Sequence, residues 1–250
     1  MILRAVRPAQ PLGPRTVFPV LSNWSKDNLV APEMSTFAEA SIPPAPNPGR
    51  ANYWILNHVL NSMLRARFTG KLRPFAFNYL RRAESAYREY ELARQNTEAY
   101  LRREPDKNDG VGLYMAAMHH WEGFLGQAYH ALRLYTLNQK RALFEKGDGS
   151  TNDRLSLLYN ESKHAESVID AGELPEESTM CIWLKNHGLH SPNSYLTFDE
   201  LGIIVTTLGQ FADALQDPAQ AGAALQAIVN ADAGEGPEEL AASESEAESG

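Results

Sequence analysis

Apolar residues recur at helical spacing between positions 51 and 217, and outside that span they show no sustained period. ANYWILNHVLNSMLRARF at 51–68 predicts a first helix, and 74–103, where Leu80, Ala83, Tyr87 and Tyr90 share one stripe, predicts a second that pairs with it as a hairpin. Pro105, Asn108 and Gly110 break the chain before a third helix over about 111–144, which Gly147-Asp148-Gly149 ends. Ser150 or Thr151 is placed to cap a fourth helix, 152–169. STMCIWLK at 178–185 is β-prone, Asn186 to Gly188 reads as a turn, and Thr197-Phe198-Asp199-Glu200 is a capping box opening a last helix to about 215. The fold class expected is all-α, a bundle of four or five helices with a small β-hairpin or extended insert before the last one.

Helical phase singles out polar residues that sit awkwardly. In the third helix Val111, Met115, Met118, Leu125 and Tyr129 fall on one face at roughly 100° per residue, and Glu122 falls among them. A carboxylate there must be paired, raised in pKa or turned to a polar cavity, with the fourth helix as the favoured source of its partner. His120 points the other way, while His119 and His130 lie on a flank and read as edge histidines. In the fourth helix Leu155, Leu158, Ala165 and Ile169 form one stripe, and Leu157 and Val168 bracket Asn160 and His164 on another side. Such a helix is wedged between two surfaces, the second being either a neighbouring helix or another subunit. On spacing alone, Asn160 and His164 read as a satisfied polar pair at a helix contact.

Composition separates the ends from the body. Prolines crowd into 1–50, including IPPAPNPG at 42–49, so this segment is expected to be extended or disordered and outside the core. Residues 218–250, rich in Ala, Gly, Glu and Ser, read as a largely disordered tail in which only 219–230 has the pattern of a short helix. The formal net charge of −8 comes from that tail: its last twenty residues carry seven acids and no base, leaving 23 basic against 24 acidic residues in the rest. Ten Arg or Lys against five Glu over 61–104 make a modest positive stretch, read first as a solvated helix face and second as a phosphate-binding surface. One cysteine, Cys181, excludes an intramolecular disulfide. With no apolar run of signal-peptide length and none of the roughly 18 residues that span a membrane, a cytoplasmic location and no membrane contact are expected.

LYNESKHAE at 158–166 gathers Tyr, Asn, Glu, Lys and His on the fourth helix. Tyr159-Asn160-Glu161-Ser162-Lys163-His164 resembles the motif of the HEPN superfamily, in which an Arg, often followed by a polar residue, is separated from a His by four to six intervening residues; here Tyr159 stands in the Arg position. The resemblance implies an all-α domain over 51–217 that pairs as a homodimer through the 152–169 helix. It also implies RNA or nucleotide as ligand and a bacterial defence or toxin setting with an antitoxin-like partner protein. Carried over residue by residue, it makes Tyr159, Asn160 and His164 the candidate catalytic residues; Lys163, beside them, and Glu122, singled out by helical phase, are the candidate binding residues. None of the seven histidines has an Arg at the nuclease spacing, and Lys163 lies roughly 100° around the helix from His164. The expected role is therefore a homodimeric interaction or nucleotide/RNA-sensing module, ahead of a divergent metal-independent endoribonuclease and of a structural helical scaffold. Glu161-Ser-Lys-His164 matches half of a di-iron helix element but has no second copy, and no zinc cluster, Walker motif or nucleophile elbow is present. No cofactor or metal is expected, and Cys181 reads as a buried structural residue.

Overall fold

A computed structural model describes residues 21–104, 110–137, 144–174, 179–217 and residue 220. The short helix expected at 219–230, the rest of the tail, the break at 105–109 and the end of the third helix beyond 137 lie outside the described residues, apart from position 220. The framework is two long helices, α5 (Leu72–Leu101) and α6 (Val111–Leu137), packed along their length. Ahead of them run the short helices α1 (Asn23–Leu29), α2 (Pro48–Ala51), α3 (Trp54–Leu60) and α4 (Ser62–Arg67). After them come α7 (Thr151–Lys163), α8 (Ala165–Asp170), the strands β1 (Trp183–Lys185), β2 (Gly188–His190) and β3 (Tyr195–Thr197), and α9 (Phe198–Gln216). The strands form one antiparallel sheet in the order β1-β2-β3, a strand more than the expected hairpin.

The caps read from sequence are present. The Ser150 hydroxyl accepts from the Asp153 amide and opens α7, and Thr197 and Glu200 form a reciprocal capping box on α9. Gly188 is needed where β2 meets β3, because a Cβ there would collide with the backbone carbonyl of Leu196. The sheet docks on α6 where the Leu184 amide donates to the Tyr114 hydroxyl at 3.0 Å.

Three expectations are corrected. Residues 21–50 are not wholly outside the core: Ala31, Met34, Phe37 and Ala45 are buried, and Phe37 stacks on Tyr100 with centroids 5.6 Å apart. This segment carries few ladder hydrogen bonds, and side chains or loop carbonyls take up its polar groups. Tyr90 donates to the Pro43 carbonyl at 2.7 Å, Tyr100 to that of Met34 at 3.2 Å, and the Ala45 amide to Glu91 at 2.7 Å. Proline keeps such a strap extended without keeping its apolar side chains from being buried. The expected first helix is broken, because the Asn61 side chain accepts from the amides of Met63 and Leu64 and starts a new helix there. The expected fourth helix is broken too: His164 adopts φ −114°, ψ 42°, and the register shifts beyond it. Val168 is consequently buried and Ile169 is 60% exposed, the reverse of the stripe expected for an unbroken helix.

Candidate functional site at the α5–α6–α7 face

The third helix is rotated from its expected phase. Its buried stripe is Tyr114, Ala117, Met118, Trp121, Phe124, Leu125, Ala128 and Ala131. The expected stripe shared only Met118 and Leu125 with it, and Met115 is exposed. Aromatic volume decides the phase, since Tyr114, Trp121 and Phe124 bring far more apolar area than the displaced set. Glu122 therefore sits on the rim of α6 and is exposed as a residue. Its carboxyl still faces α7, with Ser162 near enough to act on it. Desolvation in that crevice raises it above the usual carboxylate range against the opposing pull of His119 and Ser162.

The same rotation turns Gly123, Gly126 and His130 outward. The two glycines lower the outer ridge of α6, so side chains from both flanking helices close over it. A Cβ at Gly123 would lie 3.1 Å from a Glu89 carboxylate oxygen of α5, and one at Gly126 would lie 3.6 Å from the Tyr159 ring of α7. On the α5 side, Glu89 pairs with His120 at 2.8 Å, and Arg82 donates to Gln127 at 2.8 Å. On the α7 side, the Tyr159 hydroxyl lies 3.1 Å from His130 Nε2, and its ring stacks on Tyr129 with centroids 4.4 Å apart. Lys163, one turn on, stands 5.8 Å over the same ring.

His130 is held below its ordinary pKa by burial first, then by the nearby positive charges of Arg82 and Lys163. The neutral imidazole is thus favoured near pH 7, with its Nε2 in hydrogen-bonding distance of a tyrosine hydroxyl. That arrangement suits an anion: a phosphate beside His130 would be attracted by the charges of Arg82 and Lys163 and would stabilise a protonated His130. The paired Tyr129 and Tyr159 rings supply an aromatic edge beside it.

The LYNESKHAE cluster is therefore divided by the structure. Tyr159 and Lys163 face α6, whereas Asn160 is exposed and donates within its own helix to Ser156 at 3.3 Å. His164 ends α7 with its imidazole half in solvent, 3.7 Å from the Glu166 carboxylate. The two are joined only by the backbone bond from the His164 amide to the Asn160 carbonyl. Their side chains form no shared site with Tyr159 and Lys163. Glu122 meets Ser162 at the neighbouring turn. Arg82 and His130 are the residues that sequence reasoning passed over. The signal for them was the spacing Gly123, Gly126, Gln127, His130 on one helix, which marks a face closely approached by its neighbours. Among the described residues no three His, Cys, Asp or Glu side chains gather as metal ligands, and no helix is long and apolar enough to cross a membrane.

No family model, curated protein or solved structure matches this chain.

Proposed function

We propose that this protein is a HEPN-like module that binds a nucleotide or single-stranded RNA through the Arg82–His130–Tyr159–Lys163 face. The observation that carries the reading is the stacked Tyr129–Tyr159 pair, with Lys163 over the Tyr159 ring and the Tyr159 hydroxyl on His130, on a face where Arg82 of α5 reaches across to Gln127 of α6. Guanidinium and ammonium groups beside stacked rings are the chemistry that holds a phosphate next to a base. In this reading Arg82 supplies from another helix the charge that the motif lacks at Tyr159. A second copy of the chain would pair through the outer side of α7 and α8, where Ile169 is exposed; that surface, the defence or toxin setting and an antitoxin-like partner rest on the HEPN resemblance.

A second reading, metal-independent RNA cleavage, is favoured by the neutral state of His130, which leaves a ring nitrogen able to accept a proton beside two phosphate-binding cations. It places the base at His130 rather than His164.

The test is fluorescence anisotropy of the full chain with a labelled single-stranded RNA oligomer and with labelled ATP, at two salt concentrations. Arg82→Gln and Lys163→Gln should each weaken binding about tenfold and flatten its salt dependence, while His164→Ala should leave it unchanged. Undiminished binding by the Arg82→Gln, Lys163→Gln double variant would overturn the site. RNA cleavage by the wild type that disappears in His130→Ala and persists in His164→Ala would favour the second reading.

A further inference from the structure

A second charged surface lies away from this face, and the chain's own tail starts beside it. Asn57 of α3 donates to Gln216 at 2.8 Å, so the last turn of α9 lies against α3. There α3, α4 and the residue before them present Tyr53, Leu56, Val59, Leu60 and Met63, each between 46% and 68% exposed. Apolar residues exposed singly need no explanation, but five on adjoining turns make a patch that calls for a cover.

Beyond the patch lies a cavity of 440 Å³ lined by His58, Val59, Arg65, Arg73, Pro74, Phe77 and Asn78. It sits at the start of α5, a helix with no acidic residue in its first turn and no side-chain cap from Lys71. The Leu72 and Phe75 amides donate to the Thr69 and Lys71 carbonyls and Pro74 has none, so what this helix start offers an anion is its dipole and the neighbouring cations rather than a set of free amides. Arg65 and Arg73 in its wall are exposed, as are Arg67 and Lys71 in the same stretch of chain, and none of the four forms an ion pair among the described residues. His58, lining the same cavity, is 5% exposed, and its Nδ1 has no hydrogen-bond partner among the described residues. A buried imidazole nitrogen and two exposed guanidinium groups in one cavity wall, each without a partner among the described residues, together describe half of an interface for a carboxylate-bearing segment.

The order of residues in the tail fits that surface. Leaving Asn57, the chain offers Leu225, Ile228 and Val229 first and Asp232, Glu235, Glu238 and Glu239 afterwards. The surface offers Leu56, Val59, Leu60 and Met63 first and Arg65 and Arg73 further out. The larger groove of the molecule, 530 Å³ between Tyr79, Tyr135, Ile203 and Phe211, also lies near the end of α9, but the ionisable carboxylate in its wall is Glu200 and it offers an acidic segment no cation. We propose that residues 225–239 dock on α3, α4 and the start of α5, with Leu225, Ile228 and Val229 covering the apolar patch and Asp232 and Glu235 closing over Arg65 and Arg73. The contact neutralises a cationic surface that would otherwise draw other anions, and it does not depend on the nucleotide reading of the α5–α6–α7 face.

The test uses the full chain with Ala233→Cys carrying a nitroxide spin label. Cys181 is buried, and burial pushes its thiol up, so the label goes to the introduced cysteine. Amide resonances of 56–67 and of Arg73 should broaden at low salt and recover on reduction of the label. They should also recover in 0.5 M salt and in the Arg65→Glu, Arg73→Glu variant, whose changes are at exposed positions. Broadening centred on Ile203–Ala214, or none above the level of a diffusing label, would overturn the proposal. So would broadening that persists undiminished in the charge-reversed variant. Mixing labelled chain with an isotope-enriched unlabelled chain separates the remaining case: broadening in the mixture means that the tail reaches a second copy, and the docking within one chain is then wrong.

Discussion

Acidification should expose the cost of enclosing His190. Its Nε2 lies 2.8 Å from that of His187, and its ring stacks on Tyr195 with centroids 5.3 Å apart. Burial first, then the charge of Lys185 and the neighbouring His187, bring its pKa from 6.5 to about 4, with Glu33 pulling weakly the other way. Two imidazole nitrogens in contact can share one proton but cannot both carry one without repulsion. Because the folded pKa is below the unfolded one, the unfolded chain takes up the proton first as pH falls. The stability tied to neutral His190 is thus fully present above about pH 7 and is lost as pH falls from 6.5 toward 4. At about 1.36 kcal/mol per pH unit the full difference is about 3.4 kcal/mol. The ring is only partly enclosed, and solvent screening reduces this to about 1–2 kcal/mol. Urea unfolding of the full chain at a series of pH values, beside His190→Gln, measures it. The variant should lose less stability than the wild type between about pH 7 and pH 4.5, by about that amount. His58 and His130, also lowered by burial, and the Glu200 carboxyl, held below its ordinary value against its desolvation by Arg154 and Thr197, contribute to the slope that remains. Identical acid limbs for the two proteins would refute the argument.

Two further outcomes follow from the packing. Gly188→Ala should destabilise by about 2 kcal/mol or more, because its Cβ meets backbone rather than a movable side chain; a melting temperature within a degree of wild type would show that β2 and β3 can separate freely. Arg154→Lys should cost about 1–2 kcal/mol, since the guanidinium bridges both Glu200 oxygens, the Tyr195 carbonyl at 3.1 Å and the Gly149 carbonyl at 3.1 Å, a fork that an ammonium cannot reproduce. Thermal unfolding of Arg154→Lys beside Arg154→Ala checks it, and equal stability of Lys and Arg at this position would argue that the fork contributes nothing.

Local chemistry made part of this fold legible before any coordinates. Caps act through residues three apart, so Ser150 and Thr197-Glu200 announced the starts of α7 and α9. Long periodic stretches announced α5 and α6, because each buries a stripe along its whole length. What local pattern could not weigh was competition between stripes. In α6 two stripes one residue apart share Met118 and Leu125, and only the bulk of Tyr114, Trp121 and Phe124 against their actual neighbours chose between them. That choice moved Glu122 to a rim and brought His130 to the surface beside Arg82. Breaks were hidden for a related reason: Asn61 and His164 are tolerable inside a helix, and their capping or non-helical conformation depends on what the next turn packs against. The proline-rich segment was misjudged because the hydrogen bonds that tie it to the core join it to side chains 46 to 149 positions away, such as Glu91 for Ala45 and Thr179 for Val30. Sequence spacing sees partners within one helix or strand. The meeting of Arg82, His130 and Tyr159 joins three helices, and only tertiary packing decides it.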